Sequence, residues 1–142
     1  MKLELNATPD EVMRAVETLE EFAKARNIPE KTIFGLALAL EECGSNIVNH
    51  ALKRDVQQKF HVAFTCERNQ MLIELRDQGP EFDPTVARVN NSPASEDDLP
   101  GGWGIGLVRR HMDEIRYSRQ GNENVLLLIK RIDDSAVFDK TS

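Results

Sequence analysis

Three stretches of this 142-residue chain carry side chains able to hold a ligand. The first is Glu42-Cys43-Gly44-Ser45-Asn46. Residues four apart lie one helical turn apart, so on a helix Glu42 and Asn46 face the same small volume. An Asn oxygen suits a hard cation such as Mg2+, which takes few protein ligands and keeps waters and phosphate oxygens. A Glu carboxylate can take a proton from an attacking hydroxyl or water. The second stretch, Asp77-Gln78-Gly79-Pro80-Glu81-Phe82-Asp83-Pro84, follows the alternating run 71–76, which reads as a strand. Asp77 therefore stands where the strand stops, and Gly79 with Pro80 turns the chain. A carboxylate there, beside a glycine that lets another molecule approach, can accept a hydrogen bond from a ligand amino group. The third is Gly101-Gly102-Trp103-Gly104-Ile105-Gly106-Leu107. Glycines opening a helix bring backbone close to phosphate, and the helix N-terminus offers free N–H groups and partial positive charge.

Taken singly, each stretch has an ordinary reading: two residues on a solvated helix face, a turn, a flexible connector. Competing ligand motifs fail on context. A dinucleotide fingerprint follows a buried strand early in a βαβ unit, whereas a long acidic loop precedes this glycine run. No Gly-Lys-Ser or Gly-Lys-Thr is present, no Gly-x-Ser-x-Gly elbow, and no Cys/His cluster with zinc spacing. His50 falls on the Glu42/Asn46 stripe but reads as a helix-end or core-satisfying residue; His61 and His111 show no partner pattern.

The frame that must position these stretches is legible in order. Residues 2–6 alternate as a short edge strand. Thr8-Pro9-Asp10-Glu11 announces a helix, with Thr8 as N-cap, Pro9 at the first position and Glu11 completing a capping box. Val12, Ala15, Val16, Leu19, Phe22 and Ala23 make its buried face. Residues 30–52 form the longest helical candidate. Its first half is apolar nearly all round, and its second half carries Glu42, Asn46, Asn49 and His50 at i, i+4, i+7 and i+8. Lys53-Arg54-Asp55 is a charged turn. Residues 57–66 and 71–76 read as an antiparallel hairpin. Residues 85–89 suggest one or two helical turns, and 90–100 an acidic, proline-bearing loop. A helix over about 105–113 follows, then a hairpin of 115–119 and 124–132 across Gly121-Asn122.

Composition sets the class. The length fits one domain over 1–142, with a polar tail from about 133. A net charge of −6 argues against a nucleic-acid partner but not against a nucleotide, whose charge backbone N–H groups and a metal can meet. Cys43 and Cys66 fit buried, reduced thiols of a cytoplasmic protein. The N-terminus has no signal-peptide core, and no run is long enough to span a membrane.

Together, and in this order, Glu42-x-x-x-Asn46, Asp77-x-Gly79-x-x-Phe82-Asp83-Pro84 and Gly102-x-Gly104-x-Gly106-Leu107 resemble the N, G1 and G2 boxes of the GHKL (histidine kinase-like) ATPases. Leu40-Glu41-Glu42, Asn46-Ile47-Val48-Asn49-His50-Ala51, Gly101-Gly102-Trp103-Gly104 and Met112-Asp113-Glu114-Ile115 narrow the resemblance to the stand-alone bacterial anti-sigma factor serine/threonine kinases. The resemblance implies an α/β two-layer sandwich, a mixed, mostly antiparallel sheet with helices on one face. It implies ATP and Mg2+ as cofactors: Asp77 on the adenine amino group, Gly79 giving the base room, Asn46 on Mg2+, Asn49 near phosphate or its shell, and Glu42 as general base. Gly102, Gly104 and Gly106 would cradle the phosphates, Phe82, Ile105 and Leu107 would also bind the cofactor, and residues 85–101 would form an ATP lid. Implied partners are a sigma factor and a STAS-domain antagonist protein, with a homodimer in many members. One departure stands out. Between Val89 and Gly102 the chain has no Lys or Arg to meet a terminal phosphate, and Glu96-Asp97-Asp98 is acidic.

Overall fold

The computed structural model describes residues 1–87 and 105–132. The elements are β1 (Lys2–Asn6), α1 (Pro9–Ala25), α2 (Glu30–Asn46), a π-helical turn (Ile47–Ala51), β2 (Lys59–Glu67), β3 (Gln70–Asp77), α3 (Pro84–Ala87), α4 (Ile105–His111), β4 (Glu114–Gln120) and β5 (Glu123–Arg131). Gly102, Gly104, most of the expected lid and the 133–142 tail lie outside the described residues.

The five strands form one sheet in the order β1-β2-β3-β5-β4, with every described pairing antiparallel. Among the described residues no parallel pairing occurs, where a mixed sheet was expected. Alternation along each strand sends one set of side chains toward the helices. In register these make cross-strand rows. Leu3, Val62, Leu75, Leu126 and Tyr117 form one row; Leu5, Phe60, Asp77, Asn124 and Arg119 form the next. The second row starts apolar and turns polar as it crosses the sheet. It therefore brings a buried Asp and a buried Asn side by side at one sheet end.

Helix α1 buries the six residues its periodicity marks. The Thr8 hydroxyl accepts the Glu11 N–H at 3.2 Å, but the Glu11 carboxylate accepts from the Asn6 N–H, so the expected capping box closes two residues upstream. The helix stops because Asn27 takes a left-handed conformation (φ 59°), and the Ile28 N–H bonds back to the Ala23 carbonyl. Helix α2 lies between α1 and α4. A Cβ at Gly35 would come within 2.9 Å of the His111 ring, so glycine permits that close crossing. Helix α4 ends at His111, two residues earlier than the periodicity suggests, and buries Ile105 and Val108.

The long helix is not α-helical to residue 52. From Ile47 the chain widens into a π turn, with the Leu52 N–H bonded to the Ile47 carbonyl. Lys53 and Arg54, both left-handed (φ 52° and 60°), then reverse it. The hairpins fall where alternation puts them, β4 and β5 each starting one residue early. Gly121 at φ 61° makes the tight connection between them.

Candidate functional site

A pocket opens between the end of α2, the loop after β3 and the first residue of α4. Its helix side is Cys43, Asn46, Ile47 and Ala51; its sheet floor is Asp77, Tyr117, Asn124 and Leu126; Phe82, Pro84 and Ile105 close it. The walls are mostly apolar, and four polar side chains, Asn46, Asp77, Tyr117 and Asn124, converge on them. That combination suits a flat ring with a few polar edges.

Asp77 is 5% exposed. Its Oδ1 accepts from the Gly79 N–H at 2.8 Å and from Asn124 Nδ2 at 3.0 Å. Burial pushes its carboxyl above the usual range. The bonds from Asn124 and Gly79 and the nearby Arg119 charge offset this in part. Asn124 is a hub. Its Oδ1 accepts from the Tyr117 hydroxyl, from Arg119 Nη1 at 3.2 Å and from the Phe82 N–H at 3.2 Å, and its Nδ2 also donates to the Pro80 carbonyl at 2.9 Å. Arg119 Nη1 donates in addition to the Gly79 carbonyl at 2.8 Å. The loop 77–82 is thus bound to β4 and β5 by side chains.

Gly79 is glycine for a packing reason. A Cβ there would lie 2.7 Å from the Ala51 carbonyl oxygen, a backbone atom that cannot swing away. Gly79→Ala should therefore cost about 1–3 kcal/mol of stability as the loop and the π turn are forced apart. A urea unfolding midpoint equal to the parent's would remove that contact from consideration.

Cys43, Asn46 and Ile47 share one face of the wall at ordinary helical spacing, and the π turn then brings Ala51 rather than His50 onto it. The expected stripe was Glu42, Asn46, Asn49 and His50, whereas the wall uses Cys43, Asn46, Ile47 and Ala51. Asn49 lies outside the wall, and its Oδ1 accepts from Arg54 Nε at 2.9 Å. His50 is exposed. Glu42 is half-buried beside the wall, and its Oε2 is buried without a hydrogen-bond partner. Burial, and then the Glu41 charge, raise its carboxyl above the usual range. Cys43 is fully buried, and burial pushes its thiol up to about 12, so it remains a neutral, unreactive wall group. Cys66 is half-buried rather than buried.

Of the residues nominated from sequence, Asn46, Asp77, Phe82 and Ile105 meet in the pocket. Gly106 is exposed and Leu107 half-buried along α4. Arg109 on α4 donates to the Thr85 carbonyl at 2.9 Å, and Asp83 caps α3 by accepting the Thr85 N–H at 2.9 Å. Asn124, Tyr117 and Arg119 were not nominated. The usable signal was parity: Asn124 shares its sheet face with Leu126 and Leu128, at the start of the apolar run 125–129.

The donor set fits Mg-ATP. Among the described residues no group of three His, Cys, Asp or Glu side chains could hold a metal alone. An ion that keeps its waters and takes phosphate oxygens needs little more than the Asn46 amide. The orphaned Glu42 oxygen is a buried acceptor awaiting a donor.

Fold and pocket define an α/β sandwich with an apolar-walled, polar-edged pocket at one end of its sheet. The chain belongs to the histidine kinase-like ATPase domain family, whose profile matches residues 5–130. It is similar to the serine/threonine-protein kinase BtrW of Bordetella bronchiseptica, 32% identical over 127 residues and covering 89% of each chain. It is also similar to the serine-protein kinase RsbW of Oceanobacillus iheyensis, 24% identical over 84% of this chain and 79% of that one. The fold matches the crystal structure of the RsbU and RsbW domains of Rv1364c from Mycobacterium tuberculosis (TM-score 0.66, 18% identity), covering 93% of this chain and 32% of that longer one. No helix among the described residues is long and apolar enough to cross a membrane.

Proposed function

We propose that this chain is an ATP-dependent protein serine/threonine kinase of the anti-sigma factor type. It uses Mg-ATP, acts in the cytoplasm, sequesters a sigma factor, and phosphorylates a serine or threonine on a STAS-domain antagonist. The observation that carries the reading is the meeting of a buried, donor-held Asp77 with Asn46 in one apolar pocket, in a family of ATPase domains. The curated relatives' kinase names support the activity.

In this reading Asp77 accepts the adenine amino group, and Ile47, Phe82 and Leu126 exclude water from the ring. Asn46 would hold Mg2+, which when bound neutralises phosphate charge. The Glu42 carboxylate, raised by burial, takes the proton of the attacking hydroxyl. Gly102 and Gly104 are assigned to the phosphates by resemblance alone.

A second reading is a nucleotide-sensing module that grips its partner without phosphorylating it. The absence of Lys and Arg between Val89 and Gly102 favours it. The test pairs calorimetric titration of Mg-ATP with transfer of the γ-phosphoryl group to a STAS protein from the same genome. Binding with transfer supports the kinase, and binding without transfer supports the second reading. A folded protein that binds no Mg-ATP sinks both.

A further inference from the structure

We propose that Asn124 is the positioning residue of the pocket: its amide holds Asp77 as a pure hydrogen-bond acceptor and clamps the 79–82 turn to β5, while Tyr117 and Arg119 lock that amide in the one orientation able to do so. The proposal rests on the nucleotide reading for its binding readout, but not for its structural one.

The hydrogen-bond chemistry fixes the orientation. A side-chain amide has two N–H donors and one oxygen. Around Asn124, the Tyr117 hydroxyl, Arg119 Nη1 and the Phe82 N–H converge on one side, and the latter two can only donate. On the other side stand Asp77 Oδ1 and the Pro80 carbonyl, which accept. A flipped amide would face N–H against N–H and oxygen against oxygen, breaking every one of these bonds except that of the hydroxyl, which can turn.

The consequence falls on Asp77. Its Oδ1 is filled by two donors, Asn124 Nδ2 and the Gly79 N–H, so the acceptor capacity of Oδ2 is left for a ligand donor in the pocket. Asn124 also bonds to three stations of the turn: Gly79 (carbonyl at 3.5 Å), Pro80 and Phe82. Phe82 is itself a wall residue. One amide therefore sets both the polar contact and the position of an apolar wall. Asn124 is 5% exposed and lies directly across from Asp77 in the β3–β5 register, so backbone pairing fixes its reach. A donor withdrawn from this site would let burial drive the Asp77 carboxyl further up.

Asn124→Asp tests this through pH. The substitution keeps an oxygen for Tyr117, Arg119 and Phe82 and replaces the NH2 that serves Asp77 and the Pro80 carbonyl by a second carboxylate oxygen. Two carboxylates in contact hold one proton between them. While that proton is present, the side chain at 124 still shares a hydrogen bond with Asp77 but no longer donates to the Pro80 carbonyl; as pH rises the proton leaves, and the pair repels. The other charged or titratable groups around Asp77 are Arg119 and Tyr117 on β4, Glu123 on β5, Glu81 and Asp83 in the loop, and Cys43 on α2. They are common to parent and variant, so the ratio of the two Mg-ATP affinities reports on position 124.

The expected result is a ratio closest to parental at about pH 6 that worsens roughly 10-fold or more by about pH 8.5; the lost Pro80 bond lowers affinity equally at every pH and leaves that change intact. A flat ratio in a folded variant overturns the proposal. If the parent itself binds no Mg-ATP, the nucleotide reading has failed, and the positioning role is decided without ligand by following the Asp77 carboxyl by NMR. An upward move of that titration in Asn124→Ala, or in Tyr117→Phe should position 124 tolerate no change, supports it; an unmoved titration overturns it.

Discussion

Asp77→Asn should weaken Mg-ATP binding by about 100-fold or more while leaving the fold intact. The substitution is isosteric, so the loss must come from hydrogen-bond chemistry. Two donors, the Gly79 N–H and Asn124 Nδ2, converge on Oδ1. A new amide will turn its single oxygen to those donors, and that places its NH2 in the pocket. A ligand amino group then meets a donor instead of an acceptor. Losing a charge-assisted hydrogen bond costs about 1.5–3 kcal/mol, and stranding a buried donor adds about 1–3 kcal/mol. The stability readout moves the other way. Burial raises the Asp77 carboxyl above its unfolded value. The native state therefore binds more protons than the unfolded chain just above the ordinary Asp range, and parental stability falls as pH rises through that window. The amide has no such slope. Calorimetric titration with melts across about pH 4–8 reads both effects. Parental affinity in the folded variant would dismiss Asp77 as the adenine contact and, with it, the pocket as the nucleotide site.

Local physics made much of this chain legible. The cap and buried face of α1 are set by residues within one turn of each other, and the alternation of β2, β3 and β5 by burial on one sheet face. Asp77 and Asn46 were readable because each closes or continues an element whose pattern is clear. What failed was the step from spacing to direction. The i, i+4, i+7, i+8 stripe assumes 3.6 residues per turn through residue 50. The chain instead widens from Ile47, so Asn49 pairs with Arg54 and Ala51 takes the wall place that regular spacing would give His50, while Ile47 joins the wall as the i+4 neighbour of Cys43. That widening is set by what packs around the turn, including Gly79 against the Ala51 carbonyl, a contact 28 residues away along the chain. The Asn124 hub was missed for a related reason. Its partners come from β3, β4 and the 79–82 loop, and only the strand register brings them together.

Glu42→Gln should reduce phosphoryl transfer by roughly 10²–10⁴-fold and leave Mg-ATP affinity within about 3-fold of the parent. Gln fills the same volume but cannot accept a proton, so only the chemical step loses its base. The structure also sets a sign for stability. Glu42 has one buried oxygen without a partner, and burial with the Glu41 charge raises its carboxyl. As for Asp77, the native state holds the proton more tightly than the unfolded chain. Parental stability is therefore highest below the ordinary Glu range and declines as pH rises through the raised value, then levels off. Gln removes that decline, so the stability of the variant relative to the parent should grow across the same window and stay constant above it. Single-turnover transfer to the STAS partner and thermal melts at several pH values separate the two claims. Unchanged transfer removes Glu42 from the role of base. Reduced transfer with a stability difference independent of pH would mean that Glu42 is catalytic but not desolvated, and that the orphaned oxygen is met by water rather than reserved for the hydroxyl of the substrate.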